Sequence, residues 1–312
     1  MKLLISQLSL INSFCCEFSA GITGHFLKSY YNNPMKKFLF VLVFLLSANI
    51  TLADTLIFAQ VTDVHLPAKT KQPIIKRDYT HSEDNLRCAI RKINSDNNIQ
   101  YVFFTGDSVD RSYKDLYEKF FGIANYLNKP YYVCLGNHDV NSPGGLNKTE
   151  TLKIIQKLSR YHQYYPNYCI ELNNDFIAIM LDGTNDYVPD TRGYFNKTTL
   201  QWLKNVLEEN KDKKVIIFQH FPIVEPADGN LYTKLHQVRN KHALISALKK
   251  NGNVKMIVSG HYHKSGEFEK YGMKHYSTSA LFEMPYYRII KIDYEPNGDI
   301  KNIESELVKC SK

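Results

Sequence analysis

Polar side chains of the types that bind metal ions follow five separate apolar runs of the sequence. The runs stand in IFAQVTDVH, YVFFTGD, YYVCLGNHD, VIIFQH and KMIVSGHYH, and each predicts a buried strand with potential ligands at its end. In an open α/β sheet, the loops after the carboxyl ends of the strands converge on one crevice. The residues at these ends are Asp63, His65, Asp107, Asn137, His138, Asp139, His220, His261 and His263.

Each of these residues has a plainer interpretation when it is taken alone. A single histidine at a strand end is more often a hydrogen-bonded loop residue, Asp107 after a glycine suits a turn, and Asn137 or Asp139 could cap a helix. Such interpretations would have to coincide at every strand end, so the joint pattern favours a metal centre. The histidines away from these ends are interpreted as surface or loop residues: His25, His81, His162, His236, His242 and His275.

The ligand types indicate which metals and which chemistry to expect. Carboxylate, amide and imidazole groups without a thiolate suit manganese, iron or zinc. Two divalent ions about 3.5–4 Å apart are a common device for displacement at phosphorus, because they lower the pKa of a bridging water and neutralise developing charge. His261 and His263 are separated by one residue, so in an irregular turn they can reach two neighbouring ions. The set predicts hydrolysis of a phosphate ester.

The elements that must position these residues alternate between strands and helices. HSEDNLRCAIRKI predicts a helix with Ser82 as its cap and apolar residues at helical spacing. YCIEL and FIAIML, separated by Asn173-Asn174-Asp175, predict a hairpin. Strand–helix alternation followed by further strands predicts an α/β fold in which helices cover sheets. The lack of a linker or a repeat predicts one domain over residues 54–312.

The ordered set DVH…GD…GNHD…H…GHYH resembles the calcineurin-like metallophosphoesterase superfamily. The resemblance implies a four-layer αββα sandwich, with two mixed sheets flanked by helices. It implies that Asp107 bridges two ions, and that His138 is a general acid or phosphate-binding group oriented by Asp139. The implied metal ligands are Asp63, His65, Asp107 and His263 for one ion, and Asp107, Asn137, His220 and His261 for the other.

Within this superfamily, the sequence is most similar to the class III cyclic-nucleotide phosphodiesterase-like branch. Purple acid phosphatases place an iron-ligating tyrosine three residues after the GD aspartate, where this chain has Asp110. A purple enzyme is therefore not expected. Because the branch is functionally mixed, a phosphodiesterase is the leading hypothesis. A phosphomonoesterase, such as a nucleotidase or a general phosphatase, and a non-catalytic metal-binding module are the alternatives.

The N-terminal region has the layout of a secretory signal peptide. Residues 35–53 combine two lysines, an apolar stretch from Phe38 to Leu46 and the small-residue ending Thr51-Leu52-Ala53. This predicts export, to a periplasm or to the medium, with cleavage after Ala53. A retained N-terminal anchor is the alternative, although the apolar stretch is short for a membrane span of about 20 residues. Residues 1–34 are interpreted as an over-extended N-terminus before a true start at Met35.

Composition and charge limit the partners. The chain is 44% hydrophobic and 22% charged, which is typical of a globular protein. A formal net charge of +8 suits a small anionic phosphate ester, but no basic run or arginine-rich stripe predicts nucleic-acid binding. No transmembrane helix is expected in the processed chain. Its cysteines permit up to two disulfides, of undetermined pairing, among Cys88, Cys134, Cys169 and Cys310.

Overall fold

The strands of the protein form two mixed sheets, as seen in a computed structural model that describes residues 54–68, 78–161, 165–225 and 236–310. The strands are β1 (Asp54–Val61), β2 (Tyr101–Thr105), β3 (Tyr131–Cys134), β4 (Tyr168–Glu171), β5 (Phe176–Leu181), β6 (Lys214–Gln219), β7 (Val254–Ser259), β8 (Gly266–Lys270), β9 (Met273–Ser277), β10 (Tyr286–Tyr294) and β11 (Ile300–Lys309). The helices are α1 (Ser82–Ser95), α2 (Lys114–Ala124), α3 (Lys148–Leu158), α4 (Lys197–Glu209) and α5 (Lys241–Lys249).

The order of the strands places the predicted site strands next to one another within each sheet. The first sheet has the order β11-β10-β1-β2-β3, and the second has the order β4-β5-β6-β7-β9-β8. Strands β1, β2 and β3 are parallel to one another, as are β5, β6, β7 and β9. Their carboxyl ends therefore lie at one edge of each sheet, where the polar residues follow.

Three separate apolar clusters define four layers. One lies between the first sheet and helices α1, α2 and α3, and another lies between the second sheet and helices α4 and α5. The third fills the space between the sheets, where the rings of Phe103 and Phe218 stack with centroids 3.7 Å apart. The predicted αββα sandwich of two mixed sheets flanked by helices is confirmed.

Helix α1 buries the apolar face that was predicted for it, but its N-cap is not the predicted residue. Leu86, Ala89, Ile90 and Ile93 are all buried against the first sheet, as their helical spacing predicts. Ser82 is not the N-cap. The helix begins after His81, which makes no capping hydrogen bond, and the Ser82 hydroxyl donates to the Val64 carbonyl instead. This bond ties the start of α1 to the loop that follows β1.

The predicted hairpin forms between β4 and β5, which pair in antiparallel register. The Asn173 side-chain oxygen accepts hydrogen bonds of 2.9 Å from the backbone N–H groups of Asp175 and Phe176. This Asn turn explains why the polar tripeptide between the two apolar runs reverses the chain.

Some of the sequence predictions concern residues that the structure does not describe. The expected signal peptide at residues 35–53 and the segment 1–34 lie outside the described residues, as do His25 and His162. Within the described ranges, none of the helices has both the length and the apolar character that crossing a bilayer requires.

Candidate active site

The two sheets contribute different residues to one buried cluster. The first sheet positions Asp63 and His65 after β1, Asp107 after β2, and Asn137, His138 and Asp139 after β3. The second sheet positions His220 after β6, and His261 and His263 after β7. Asp63, His65 and His220 have no exposed surface, and Asp107 is 2% exposed. The structure therefore brings all the predicted site residues to the point where the two sheets meet.

Asp107 lies at the centre of this cluster. Its Oδ2 is 3.5 Å from Nε2 of His65 and 3.2 Å from Nε2 of His220. Its Oδ1 accepts a hydrogen bond of 2.8 Å from the backbone N–H of His138. One carboxylate oxygen therefore stands between imidazoles that come from different sheets, and the other is fixed by the backbone.

On one side of Asp107 lies a group formed by Asp63, His65 and His263. Oδ1 of Asp63 is 3.2 Å from Nε2 of His263 and 3.8 Å from Nε2 of His65. Oδ2 of Asp63 accepts hydrogen bonds from the Thr62 hydroxyl at 2.6 Å and from the His261 backbone N–H at 3.0 Å. These bonds hold the carboxylate so that Oδ1 faces the two imidazoles.

On the other side lies a group formed by Asp107, His220 and His261. Nε2 of His220 is 3.1 Å from Nδ1 of His261 and 3.3 Å from the side-chain oxygen of Asn137. Nδ1 of His220 is 2.8 Å from the carbonyl oxygen of Thr105, which can only accept. Nδ1 therefore carries a proton, and Nε2 is the atom that His220 presents to the site.

The charges of the cluster hold one another in place despite burial. Burial alone would raise the pKa of Asp107, but His220, His138 and His65 hold that pKa far below its usual value. Burial likewise opposes a charge on His65, yet Asp110 and Asp63 raise the pKa of its imidazole to about 9. Burial and the neighbouring His220 lower the pKa of His261 well below its usual value. The cluster therefore combines ionised carboxylates with one imidazole, His65, that favours its protonated form and another, His261, that favours its neutral form.

The donor atoms fit divalent metal ions. In each of three overlapping groups, the two described above and a third formed by His65, Asp107 and His138, the potential ligand atoms lie within 4.8 Å of one another. Oδ1 of Asp63 and Nε2 of His65 are buried and form no hydrogen bond within the described part of the chain. Buried polar atoms normally have partners, so such atoms facing one another are the arrangement a cation would satisfy. Oxygen and nitrogen donors without sulfur suit manganese, iron or zinc.

The backbone of the site is as unusual as its side chains. Seven described residues other than glycine have a positive φ, and five of them are predicted ligands. These are Asp63 at 51°, His65 at 45°, Asp107 at 52°, His261 at 70° and His263 at 55°. Left-handed backbone is uncommon for such residues and concentrates at functional sites.

Two glycines leave room for the carboxylates. A Cβ at Gly136 would lie 2.2 Å from Oδ1 of Asp107, and a Cβ at Gly260 would lie 2.4 Å from Oδ2 of Asp63. Neither position therefore admits a larger residue without displacing a predicted ligand.

The structure corrects the expected role of Asp139. Its carboxylate accepts hydrogen bonds from the backbone N–H groups of Gly136 at 2.8 Å and Ser108 at 3.0 Å, so it joins two site loops. The His138 ring instead places Nδ1 2.8 Å from the carbonyl oxygen of Asp110 and 3.6 Å from its carboxylate. Asp110 is thus the residue that orients His138, and it also lies 3.7 Å from Nδ1 of His65.

Other neighbours of the site were missed or misread in the sequence. His236 lies in a turn, as predicted for a loop residue, but its ring is 5.5 Å from the His261 ring, a proximity that was not predicted. Glu283 approaches Nδ1 of His263 at 3.7 Å, and the Tyr79 hydroxyl donates to Asp110 at 2.7 Å. His275 is also misassigned, because it is buried in β9 and contacts the Lys270 carbonyl.

Among these unpredicted neighbours, only Asp110 could have been suspected from the sequence, because it is a second acid in the GDSVD loop that contains Asp107.

With this fold and site, the chain belongs to the calcineurin-like phosphoesterase family, whose characteristic sequence matches residues 56–265. The protein is a metal-dependent phosphoric ester hydrolase of that family. It is 27% identical over 210 residues to a probable glycerophosphodiester phosphodiesterase of Arcobacter nitrofigilis, covering 67% of this chain and 72% of that protein. It is 24% identical over 222 residues to a 3',5'-cyclic adenosine monophosphate phosphodiesterase of Haemophilus influenzae, covering 71% and 74%.

Solved structures agree on the fold. A dimetal phosphatase from Danio rerio superposes with a TM-score of 0.57 at 17% identity, covering 82% of this chain and 99% of that structure. A purple acid phosphatase from yellow lupin superposes with a TM-score of 0.58 at 13% identity, covering 83% and 52%. At such low identity the likeness establishes the four-layer architecture alone.

Replacing Asp107 by alanine tests the centre of the site. We expect this variant to lose both tightly bound manganese and hydrolytic activity, because Oδ2 of Asp107 stands between the imidazoles of both groups. Metal content after gel filtration, measured by mass spectrometry, and phosphoesterase activity are the readouts. His242→Ala is the matched control, because His242 is exposed on α5. A folded Asp107→Ala variant with an unchanged metal content would refute the central position of Asp107.

Proposed function

We propose that this protein is an exported phosphodiesterase that works with two metal ions. The observation that carries the proposal is the position of Asp107, whose Oδ2 lies between His65 of one ligand group and His220 of the other. A single carboxylate oxygen so placed is suited to contact two cations at once.

The ligand sets follow from the two groups. The proposed ligands of the first ion are Asp63, His65, Asp107 and His263, and those of the second are Asp107, Asn137, His220 and His261. Manganese, iron and zinc all suit these donors. A manganese-dependent ADP-ribose/CDP-alcohol diphosphatase of Arabidopsis thaliana is 24% identical over 262 residues, covering 68% of this chain and 80% of that protein. This relative supports manganese as the first metal to test.

When bound, such ions supply charge neutralisation at the phosphoryl group and activate a water for attack. The chain itself supplies the proton for the leaving group. Nδ1 of His138 lies 2.8 Å from the Asp110 carbonyl, so this nitrogen is the donor and Nε2 is left to face a substrate. Burial lowers the pKa of His138, although Asp107 opposes the shift. A proton on Nε2 therefore needs nearby negative charge, which an anionic phosphate ester brings with it.

Acidic residues at the edge of the site support a diester rather than a monoester. Asp110 lies behind His138 and His65, and Glu283 lies beside His263. These carboxylates repel anions, and at neutral pH a phosphate diester has one negative charge where a monoester has nearly two. The names of the two phosphodiesterase relatives point the same way. We assign the substrate to small phosphodiesters.

Export is proposed from the sequence of residues 35–53, with its lysines, short apolar stretch and Thr51-Leu52-Ala53 ending. The first described strand starts at Asp54, directly after the expected cleavage point. Cleavage there would leave all the described elements in the processed protein.

Substrate preference distinguishes the proposed activity from its alternatives. With manganese present, kcat/KM for bis-p-nitrophenyl phosphate should exceed that for p-nitrophenyl phosphate, and a chelator should abolish both activities. Glu283→Gln removes one repelling charge without altering a proposed ligand. It should therefore raise kcat/KM for the monoester and reduce the difference between the two substrates. A monoester preference in the unsubstituted protein would favour a phosphatase. Turnover of neither substrate, in protein that binds manganese, would favour a non-catalytic module.

His138 and the adjacent Asn137 should behave differently. His138→Ala should keep its bound metal and slow the release of alkyl leaving groups by about a hundred- to ten-thousand-fold, which is the usual effect of a positioned acid. The loss should shrink for p-nitrophenol esters, because that leaving group departs without a proton. Asn137→Ala should instead lower metal affinity. Kinetics over a series of leaving groups provide the test, and an equal loss along the series would assign His138 to phosphate binding.

Export is tested on the N-terminus of the protein. Expressed as the full chain in a bacterial host, the exported fraction should begin at Asp54 when sequenced by Edman degradation or mass spectrometry. Ala53→Tyr should block cleavage, because a large residue replaces the small one next to the cut. An unprocessed N-terminus on protein confined to the cytoplasm would contradict export, whatever the activity of that protein.

A further inference from the structure

Cys88 and Cys310 come from opposite ends of the described chain and meet on one face of the first sheet. Cys88 lies on α1, and Cys310 directly follows β11. Cys310 is 4% exposed and belongs to the apolar cluster between α1 and the first sheet, and Cys88 packs against the same cluster. Neither is in a disulfide in the structure, and the Cys88 thiol contributes to the raised pKa of Cys310.

The register of the strands explains why Cys310 faces α1. Tyr287 of β10 pairs with Val308 of β11, and both side chains belong to the helix-side layer. Side chains two residues apart in an extended chain share a face, so Cys310 points the same way as Val308. Arg91 and Lys92 also act on the Cys310 thiol, as expected for a sulfur seated on a helix face made by positions 88, 91 and 92.

The other two cysteines among the described residues face different surroundings. Cys134 is buried between the two sheets, where its Sγ lies 3.1 Å from the Phe218 carbonyl. Cys169 is exposed on β4. Its neighbour Tyr168 turns toward the inner layer and donates to the Val133 carbonyl, so Cys169 points to the opposite face. Cys134 and Cys169 are therefore not placed to pair with each other.

We propose that Cys88 and Cys310 form a disulfide bond that fastens the last strand to the first helix. Since β11 is an edge strand, it is paired with a neighbouring strand on one side only and is prone to fray. The bond would close a loop that contains nearly all the described elements, which is the case where a cross-link restricts the unfolded chain most. An oxidising compartment is required, so formation in the cell rests on the proposed export, whereas formation in vitro does not.

Formation proceeds by exchange with a disulfide oxidant, such as oxidised glutathione or a disulfide oxidoreductase. The Cys88 thiolate attacks the oxidant, one oxidant thiol departs, and a mixed disulfide remains on Cys88. Cys310 then loses its proton to water and attacks Sγ of Cys88, releasing the second oxidant thiol. Two protein thiols are oxidised as one oxidant disulfide is reduced. The first exchange falls to Cys88 because it is only half-buried, whereas Cys310 is enclosed.

The second step has a barrier built into the fold. Burial raises the pKa of Cys310 to about 12, with Cys88 adding to the shift and Lys92 and Arg91 opposing it. Few Cys310 thiolates exist at neutral pH in the folded, reduced protein, so closure of the bond there is slow. The bond should form fastest while the chain is still folding, and refolding in the presence of the oxidant is therefore the right experiment.

The test refolds the purified full chain with oxidised and reduced glutathione, blocks remaining thiols with iodoacetamide and maps the peptides by mass spectrometry. We expect a peptide pair linked through Cys88 and Cys310, with Cys134 and Cys169 alkylated. The Tm of the oxidised protein should exceed that of the reduced protein by on the order of 10 °C. Cys88→Ser should remove this shift, and Cys169→Ser, the exposed control, should retain it.

Outcomes against the proposal are equally specific. A link between any other pair, or alkylation of both Cys88 and Cys310 in refolded protein that unfolds cooperatively on heating, would overturn it. A linked pair that leaves Tm unchanged on reduction would refute the fastening of β11 to α1. None of these readouts uses hydrolytic activity or cellular location, so a failure here is distinct from a failure of the proposed function.

Discussion

The structure depends on holding the Asp107 carboxylate, almost without exposed surface, among imidazoles from both sheets. A buried carboxylate without partners would cost several kcal/mol, and here His220 and His65 compensate it from opposite sides. Either sheet alone would leave this charge incompletely paired. The mutual position of the two sheets is therefore a requirement of the site. The stacked Phe103 and Phe218 rings between the sheets lie in the same two strands that present Asp107 and His220.

The site also stores backbone strain, because five predicted ligands have left-handed φ angles. Each costs about 1–3 kcal/mol in the absence of compensation. The loops after β1 and β2 offset part of this by bonding to each other, with the backbone N–H of Asp63 donating to Gly106 at 3.0 Å and that of His65 donating to Asp107 at 2.9 Å. The left-handed residues turn the chain directly after β1, β2 and β7, so these ligand side chains lie in loops at the strand ends and not within the strands.

The strands and the residues at their ends could be predicted from the sequence, because both depend on positions that are neighbours in the chain. Apolar runs ending in acids and histidines indicated both the strands and the residues that gather at their ends, since β1, β2, β3, β6 and β7 each supply their own ligands. Which carboxylate meets which ring was not predictable in this way. Asp139 adjoins His138 in sequence, but a backbone bond from Asp139 to Gly136 turns the chain so that its carboxylate meets amides. His236 approaches His261 from a turn that precedes α5, and no periodicity in the sequence marks this turn.

A buried polar network behind the site fixes the distance between the sheets. The Gln60 amide of β1 donates to the Thr105 hydroxyl of β2 and to the Ser259 carbonyl of β7, both at 2.8 Å. Its oxygen accepts from Thr278 at 2.6 Å, and Thr278 in turn accepts from the buried Arg288 of β10 at 3.0 Å. Both donors and the acceptor of the amide are thereby used, so sliding one sheet past the other would break several buried hydrogen bonds together. Thr105 also offers its carbonyl to Nδ1 of His220. Thr105, whose hydroxyl belongs to this network, therefore also sets the tautomer of a proposed ligand, which couples the packing of the core directly to the chemistry of the site.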